Sequence, residues 1–413
     1  MNIQGRRVLI GITGGIAAYK VCDLVSTLAK LGANVRVLLT RGAEAFITPL
    51  TLATLSRQTA FTDADFWQPL PRPLHIELGE WAELLVIAPL TANTLAKLAH
   101  GLADNLLTNT VLASTCPILL APAMNTDMWE QPVVQQNHQR LQTQLRYHWA
   151  DPEAGILACD RVGTGRMATP TKILAQIQSL LYSQGQRDLA NKHLLISAAS
   201  TREHFDPVRF IGNPATGKMG LALAQAALHR GANVTLVHGP ISWEPPQGIT
   251  AIAITSAAQM RQVMVSQFPT VDWVIMAAAV ADVKPRHYSP EKLPKRSLPS
   301  TLELELVPDI LGELSINKQP HQRLVGFAAQ TGEIIPPALA KLQQKHLDAI
   351  AANPIDQPDS GFGSEQNQAV FLDRQGRQTT IPLVSKLHLA HALCDFVQTI
   401  PDAVGASPAL WGN

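Results

Sequence analysis

Along the chain, short runs of consecutive apolar residues alternate with longer stretches whose apolar positions recur every three or four residues. Residues 8–12 (VLIGI), 34–40 (NVRVLLT), 81–88 (WAELLVIA) and 116–121 (CPILLA) are runs of the first kind. They are too short for independent helices and lack the alternation of a half-exposed strand, so they predict strands covered on both faces. Between them, 16–30, 48–55 and the stretch after Thr91 carry helical spacing, with Gly32 closing the first and Thr91 placed to cap the third. This alternation predicts an α/β fold with a doubly wound, mostly parallel sheet.

The plan then restarts. Residues 192–198 read as a strand, 218–230 as a helix closed by Gly231, and 233–239 as a second strand. Further strands are predicted at 271–281 (VDWVIMAAAVA), 323–329 and 347–352. A hairpin at 369–373 and 378–381 turns around Gly376, and a last helix spans 386–400. A short echo links the halves: Gly-Ala-Asn-Val follows Leu31 in the first and Arg230 in the second, each time between a helix and a strand. Two Rossmann-like domains follow, the N-terminal one flavodoxin-like: 1–183, a polar linker at 184–191, a second domain at 192–402 and a disordered tail at 403–413.

Composition narrows the class. A chain of 413 residues is too long for one ordinary core. A net charge of +1 gives no electrostatic reason for a nucleic acid or membrane partner. No apolar run is long enough to span a bilayer, and residues 1–7 lack a signal peptide's apolar segment. Cys22, Cys116, Cys159 and Cys394 are scattered without a CxxC pair, which speaks against zinc or a disulfide framework and for a reducing cytoplasm.

Candidate chemistry gathers where predicted strands end. Thr13-Gly14-Gly15 joins the first strand to the first helix, a turn suited to an anion because backbone N–H groups and the helix dipole point at it. Its spacing is neither the dinucleotide fingerprint nor a Walker loop, and a glycine turn also serves tight helix–strand packing. Thr40 ends the second strand on the same sheet edge. Residues 122–129 (PAMNTDMW) follow the fourth, and 150–171 form a glycine-rich irregular loop holding Cys159. In the second half Asn213 and Lys218 flank another glycine turn at a helix start. The proline-laced basic segment 284–300, with Lys292, reads as a flexible flap. Lys341 and Lys345 share a helix face.

Several of these segments fit one pattern. The 13–20 turn (TGGIAAYK), His75, the 122–129 run and the Cys159 loop resemble flavin-dependent cysteine decarboxylases. Thr201-Arg202-Glu203, Asp206-Pro-Val-Arg209, Asn213 with 217–220 (GKMG), 278–282 (AAVAD), Pro290-Glu291-Lys292, 307–310 (VPDI) and 326–329 (GFAA) resemble phosphopantothenate–cysteine ligase. Together they resemble the bacterial bifunctional phosphopantothenoylcysteine decarboxylase/phosphopantothenate–cysteine ligases of coenzyme A biosynthesis, over nearly the whole chain. Three positions depart from that family: Thr13 replaces a serine, Ala199-Ser200 replaces a glycine-rich pair, and Gln330 replaces a glutamate.

The resemblance implies FMN in the first half, held by Thr13, Gly14, Gly15, Thr40, Thr91 and Ala92. His75, by itself a core histidine in a proline-led segment, becomes a base or a holder of the substrate thiol. Asn125 holds the substrate carboxylate, and Cys159 donates a proton to an ene-thiolate. The chemistry is coherent: losing CO2 from a cysteine carboxylate needs an electron sink, which oxidation of the CH2–SH group to a thioaldehyde supplies. In the second half the resemblance implies CTP with Mg2+, its metal ligands unassigned. Asn213 and Lys292 are then catalytic, and Met276, Ala277, Ala278, Asp282, Pro308, Asp309, Ile310, Leu311, Phe327, Lys341 and Lys345 bind nucleotide. Joining a carboxylate to cysteine requires such activation because hydroxide is a poor leaving group. The family also implies decarboxylase trimers, ligase dimers and a dodecamer. Two other classes compete: a non-catalytic flavoprotein that regulates a partner, and a nicotinamide-dependent oxidoreductase. Cys159 and the complete second half disfavour the former, and the missing G-x-G-x-x-G disfavours the latter.

Overall fold

The structure, a computed structural model, describes residues 3–156, 160–357 and 359–401. It divides into two units, Met1–Gln186 and Arg187–Asn413. The first is built on a six-stranded parallel sheet in the order Ala60–Thr62, Asn34–Leu39, Arg7–Ile12, Leu84–Leu90, Ile118–Pro122, Tyr147–Trp149. Alternate residues of the first strand enter different cores. Val8, Ile10 and Ile12 pack with Val21, Leu24 and Leu28 of helix Ala18–Lys30, whereas Leu9 joins Leu85, Ile87 and Leu107 on the other face. That double burial is why these strands read as unbroken apolar runs.

The second unit carries eight strands in the order Thr250–Ala253, Asn233–His238, His193–Ala198, Trp273–Met276, Arg323–Gln330, Ala349–Pro354, Gln366–Asp373, Gln378–Ser385. The first six are parallel and the last two pair antiparallel. Both sheets reverse strand order beside their first strand, between Arg7–Ile12 and Leu84–Leu90 and between His193–Ala198 and Trp273–Met276. Such reversals leave a crevice at the carboxyl ends of the strands.

The Gly-Ala-Asn-Val echo is a shared helix stop. Gly32 and Gly231 sit at φ +84° and +88°, a left-handed conformation that only glycine adopts without strain. Ala33 and Ala232 donate back to Leu28 and Ala227, and Asn34 and Asn233 donate to Arg6 and Lys192 at the mouth of the first strand. One local sequence sets the same strand register twice.

Four segments differ from the sequence reading. Trp81 ends helix Leu74–Trp81 rather than opening a strand; Leu74 and Leu78, one turn apart, are its buried stripe. The loop at 150–171 contains an antiparallel hairpin, Glu153–Ile156 with Val162–Arg166, in which Gly155 opposes Gly163. The strand predicted over 271–281 stops at Met276, because the following alanines leave the sheet: Ala278 N–H donates to Ser197 Oγ and Ala281 N–H to Thr201 Oγ1. The basic segment is paired at its ends, Val283–Pro285 with Leu304–Leu306, and Leu293 is tied to Asp206 and Arg209. Cys159 and residues 403–413 lie outside the described residues.

Arg230 is buried and organises one end of the second unit. Its guanidinium contacts Asp188, Asp395, Gln398 and the His391 carbonyl, so the charge is taken out of water with its partners supplied. On the same helix, Lys386–Gln398, burial pushes the Cys394 thiol up to about 12. Burial, then the charges of His229, Arg230 and His388, push His391 down to about 3. A histidine held neutral in the fold but free to protonate at its ordinary 6.5 when unfolded adds stability above that value. The unfolded chain binds the extra proton, so stability falls as pH drops from 6.5 toward 3. Denaturant unfolding of the second unit across that range should show this decline, and His391→Leu should flatten it.

Candidate functional site

Each unit opens a cleft at its switch point. The first, about 1060 Å3, is floored by Gly14, Gly15, Ile16 and Ala17 at the start of helix Ala18–Lys30, with Thr40, Thr91, Ala92, Asn125 and Arg166 around it. Gly14 lies so close to the backbone of Gly42 that a Cβ there would meet it at 2.8 Å, so the close approach requires glycine. Thr13 is buried beneath this floor and does not line it. Its hydroxyl donates to the Pro89 carbonyl (2.6 Å) and accepts from Thr91 N–H (3.0 Å). The predicted ligand-binding hydroxyl is thus a bridge across the switch point. Thr91 in turn caps helix Ala92–His100, and Thr40 Oγ1 donates to the Ile12 carbonyl.

On the facing wall Asn125 starts a short helix, Thr126–Trp129, by accepting from Asp127 N–H (2.8 Å). Gly165 lies against it: Met124 N–H donates to the Gly165 carbonyl (2.9 Å), and a Cβ on Gly165 would come within 2.3 Å of the Met124 oxygen. His75 is not among the residues around the cleft. It sits on helix Leu74–Trp81 with its ring edge-on to Phe66, 5.5 Å between centroids, and its Nδ1 is buried without a hydrogen-bond partner among the described residues. Cys159 falls outside the described residues.

The second cleft, about 650 Å3, brings together Asn213, Met276, Ala277, Ala278, Asp282, Pro308, Asp309, Ile310, Leu311, Phe327, Lys341 and Lys345. Asn213 Nδ2 donates to the carbonyls of Ala279 and Val280 (3.3 Å each), bracing the loop where the strand leaves the sheet. Asp309 caps helix Ile310–Ile316 and is ion-paired to Lys345. Burial alone would raise its carboxyl, but Lys345 and the Gly312 N–H hold it below the usual carboxylate range. Lys341 donates to the Phe327 carbonyl (2.8 Å); burial, then Lys345, lowers its ammonium. Lys292 is exposed and does not line the cleft. Among the described residues no cluster of three or more His, Cys, Asp or Glu side chains is arranged to hold a metal.

Residues not singled out from the sequence also line the clefts. Asn353, at the carboxyl end of its strand, could have been found by the strand-end rule. Lys386 could not: it opens the last helix, and its Nζ reaches the carbonyls of Gly361 (3.1 Å) and Ser364 (2.5 Å). Burial and then Lys218 bring it down to about 8. Gly42 and Arg166 of the first cleft had no distinguishing local signal.

Residues 1–182 match the family model described as Flavoprotein, and residues 189–400 match that of the DNA/pantothenate metabolism flavoprotein C-terminal domain. The coenzyme A biosynthesis bifunctional protein CoaBC of Bacillus subtilis (strain 168) is 41% identical, aligned over 98% of this chain and 99% of that protein. The protein of the same name from Escherichia coli (strain K12) is 37% identical over 97% of this chain and 98% of its own length. The chain belongs to this CoaBC family. Among solved structures, the C-terminal domain of a CoaBC protein matches at 33% identity and a TM-score of 0.45, covering 52% of this chain and 97% of that one. The FMN-binding protein AtHal3 matches at 38% and 0.40, covering 44% and 98%.

The Asp309–Lys345–Lys341 cluster yields a measurable consequence. Lys341 should react with acylating reagents at lower pH than surface lysines. Lys345→Met should move that reactivity upward in pH by removing a like charge, which peptide mapping of the modified protein would record.

Proposed function

We propose that the chain is a two-part enzyme of coenzyme A biosynthesis. Its second unit couples 4′-phosphopantothenate to L-cysteine, and its first decarboxylates the product, 4′-phosphopantothenoylcysteine, to 4′-phosphopantetheine. The observation that carries this reading is near-full-length similarity to CoaBC proteins in a chain whose two units each hold a cleft at the switch point.

In the first unit the cofactor is FMN. A glycine floor at a helix start, closed against Gly42, suits its single phosphate, and Thr91 and Ala92 border the space beyond. When bound, the flavin supplies reversible two-electron oxidation of the substrate thiol end, which gives the departing carboxylate an electron sink. Asn125, its carbonyl oxygen engaged by Asp127 N–H, orients the substrate carboxylate through its amide. Cys159 returns a proton to the carbon framework once CO2 has left, and His75, which does not line its own unit's cleft, serves the substrate thiol of a neighbouring copy in the homo-oligomer.

In the second unit the substrate carboxylate attacks the α-phosphorus of CTP, releasing pyrophosphate and leaving an acyl-cytidylate, and cysteine's amine then displaces CMP; Mg2+ bound with the nucleotide would offset the triphosphate's charge. Lys341 and Lys345, the latter ion-paired to Asp309, bind the nucleotide with Asp282, and Asn213 acts from its position against the Ala279–Val280 loop. Lys292 reaches the phosphates by movement of the strap tied at Leu293. The enzyme works in the cytoplasm as a homo-oligomer, with decarboxylase trimers and ligase dimers building a dodecamer. Among the described residues no helix is long and apolar enough to cross a membrane.

The test gives the purified yellow protein phosphopantothenate, cysteine, Mg2+ and either CTP or ATP, and records pyrophosphate and CO2 separately. Both products should form, faster with CTP. Cys159→Ser should abolish phosphopantetheine formation while sparing pyrophosphate. Absence of both products from flavin-loaded protein would overturn the reading. Separately, Gly14→Ala should force Gly42 away and raise the flavin dissociation constant about tenfold, roughly 1.4 kcal/mol of binding, read by titrating flavin absorbance against chain concentration, with pyrophosphate release unchanged.

A further inference from the structure

Arg166 ends the hairpin strand Val162–Arg166 and lines the first cleft beside Asn125. Its immediate predecessor, Gly165, is the residue seated on Met124. Among the described residues the guanidinium's acidic neighbour is Glu153, whose Oε2 lies 3.8 Å from Nη2. That carboxylate is already committed: its Oε1 is 2.8 Å from Lys172 Nζ and accepts from Thr169 N–H at 3.3 Å. Two cations therefore share one carboxylate, and Arg166 is the more distant. Nη1 faces Gly155, where a Cβ would stand 3.1 Å away, so the fork lies flat on the opposite strand. Nε is buried and has no acceptor among the described residues.

A buried N–H without an acceptor is unfavourable, and a charged one more so. The Nε edge of a guanidinium presents parallel donors spaced for two oxygens of a carboxylate or phosphate. Resting on the decarboxylase reading above, we propose that Arg166 is a substrate-anion-recognising residue of the first cleft, pairing through its Nε edge with an oxyanion of the substrate. The substrate offers two such groups, a carboxylate and a phosphate. Neither gains negative charge during reaction, and the carboxylate loses its own as CO2 leaves. The pairing therefore strengthens binding and does not favour the transition state over the bound substrate. Arg166 governs KM and leaves kcat nearly unchanged.

The experiment uses the full-length, flavin-loaded protein and measures CO2 release from phosphopantothenoylcysteine and from pantothenoylcysteine, which lacks the phosphate. Arg166→Met should raise KM for phosphopantothenoylcysteine about 10- to 100-fold, the loss typical of a charged hydrogen-bonded pair, with kcat within about threefold. Arg166→Lys, which keeps the charge but not the fork, should recover part of that loss. If pantothenoylcysteine suffers the same KM increase, the partner is the carboxylate; if it is indifferent, the partner is the phosphate. Unchanged KM for both substrates in both variants overturns the proposal, as does a fall in kcat alone. Pyrophosphate release reports a folded chain, and flavin absorbance normalises the holoenzyme. Absence of CO2 from the unsubstituted protein would instead overturn the decarboxylase reading itself.

Discussion

A parallel sheet that reverses its strand order sends the connections after two neighbouring strands to opposite faces, and something has to hold the crevice between them at a fixed width. Here hydroxyl groups do so in both units. In the first, Thr13 Oγ1 joins the end of the opening strand to Pro89 and Thr91. In the second, Ser197 Oγ and Thr201 Oγ1 accept from Ala278 and Ala281, the alanines that turn away from the sheet. A hydroxyl suits the task because it can donate and accept from one atom within a narrow gap. Each cleft has its shape because the backbone on both sides is tied through hydroxyl side chains, one in the first unit and two in the second, and the helix starts that face the clefts are placed by those ties.

The clefts manage charge differently. The first is lined largely by glycine, alanine, threonine and asparagine, and its cations, Lys20, Arg41, Lys97 and Arg166, are joined by the carboxylates of Asp63 and Asp104. The second is crowded with ammonium groups, of which Lys341 and Lys386 are buried enough to lose protons more readily than a surface lysine. Such groups hold their full charge more readily when an anion is near, so binding a polyanion and taking up protons are coupled there. Asp309 and Glu365 partly offset this cluster, through Lys345 and Lys218.

Much of this was legible from the chain. Strands buried on both faces write themselves as apolar runs, and strand ends in a doubly wound sheet are where ligands go, so Gly14, Gly15, Thr40 and Thr91 could be placed before any coordinates, Asn213 by its glycine turn at a helix start, and Lys341 only through the family resemblance. What stayed hidden depends on pairings between distant segments. Trp81 is apolar whether it begins a strand or ends a helix, and the position of Leu74 and Leu78 against the sheet decided it. The hairpin at 153–166 rests on Gly165 meeting Met124, forty-one positions away in the sequence numbering. Thr13 was found, but its orientation was not, because a hydroxyl at a turn has no local mark showing which way it points.

The glycines that stop the first helix of each unit act as spacers as well as caps. From Gly32 to Asn34, and from Gly231 to Asn233, the chain takes the same number of steps before entering the sheet. Since successive strand residues point to opposite faces, one residue more or less would turn Val35 and Val37 out of their core and reverse every side chain that follows. Loop length at these two points is therefore fixed by parity: a connection on the protein's surface, where insertions are ordinarily tolerated, carries the phase of the sheet.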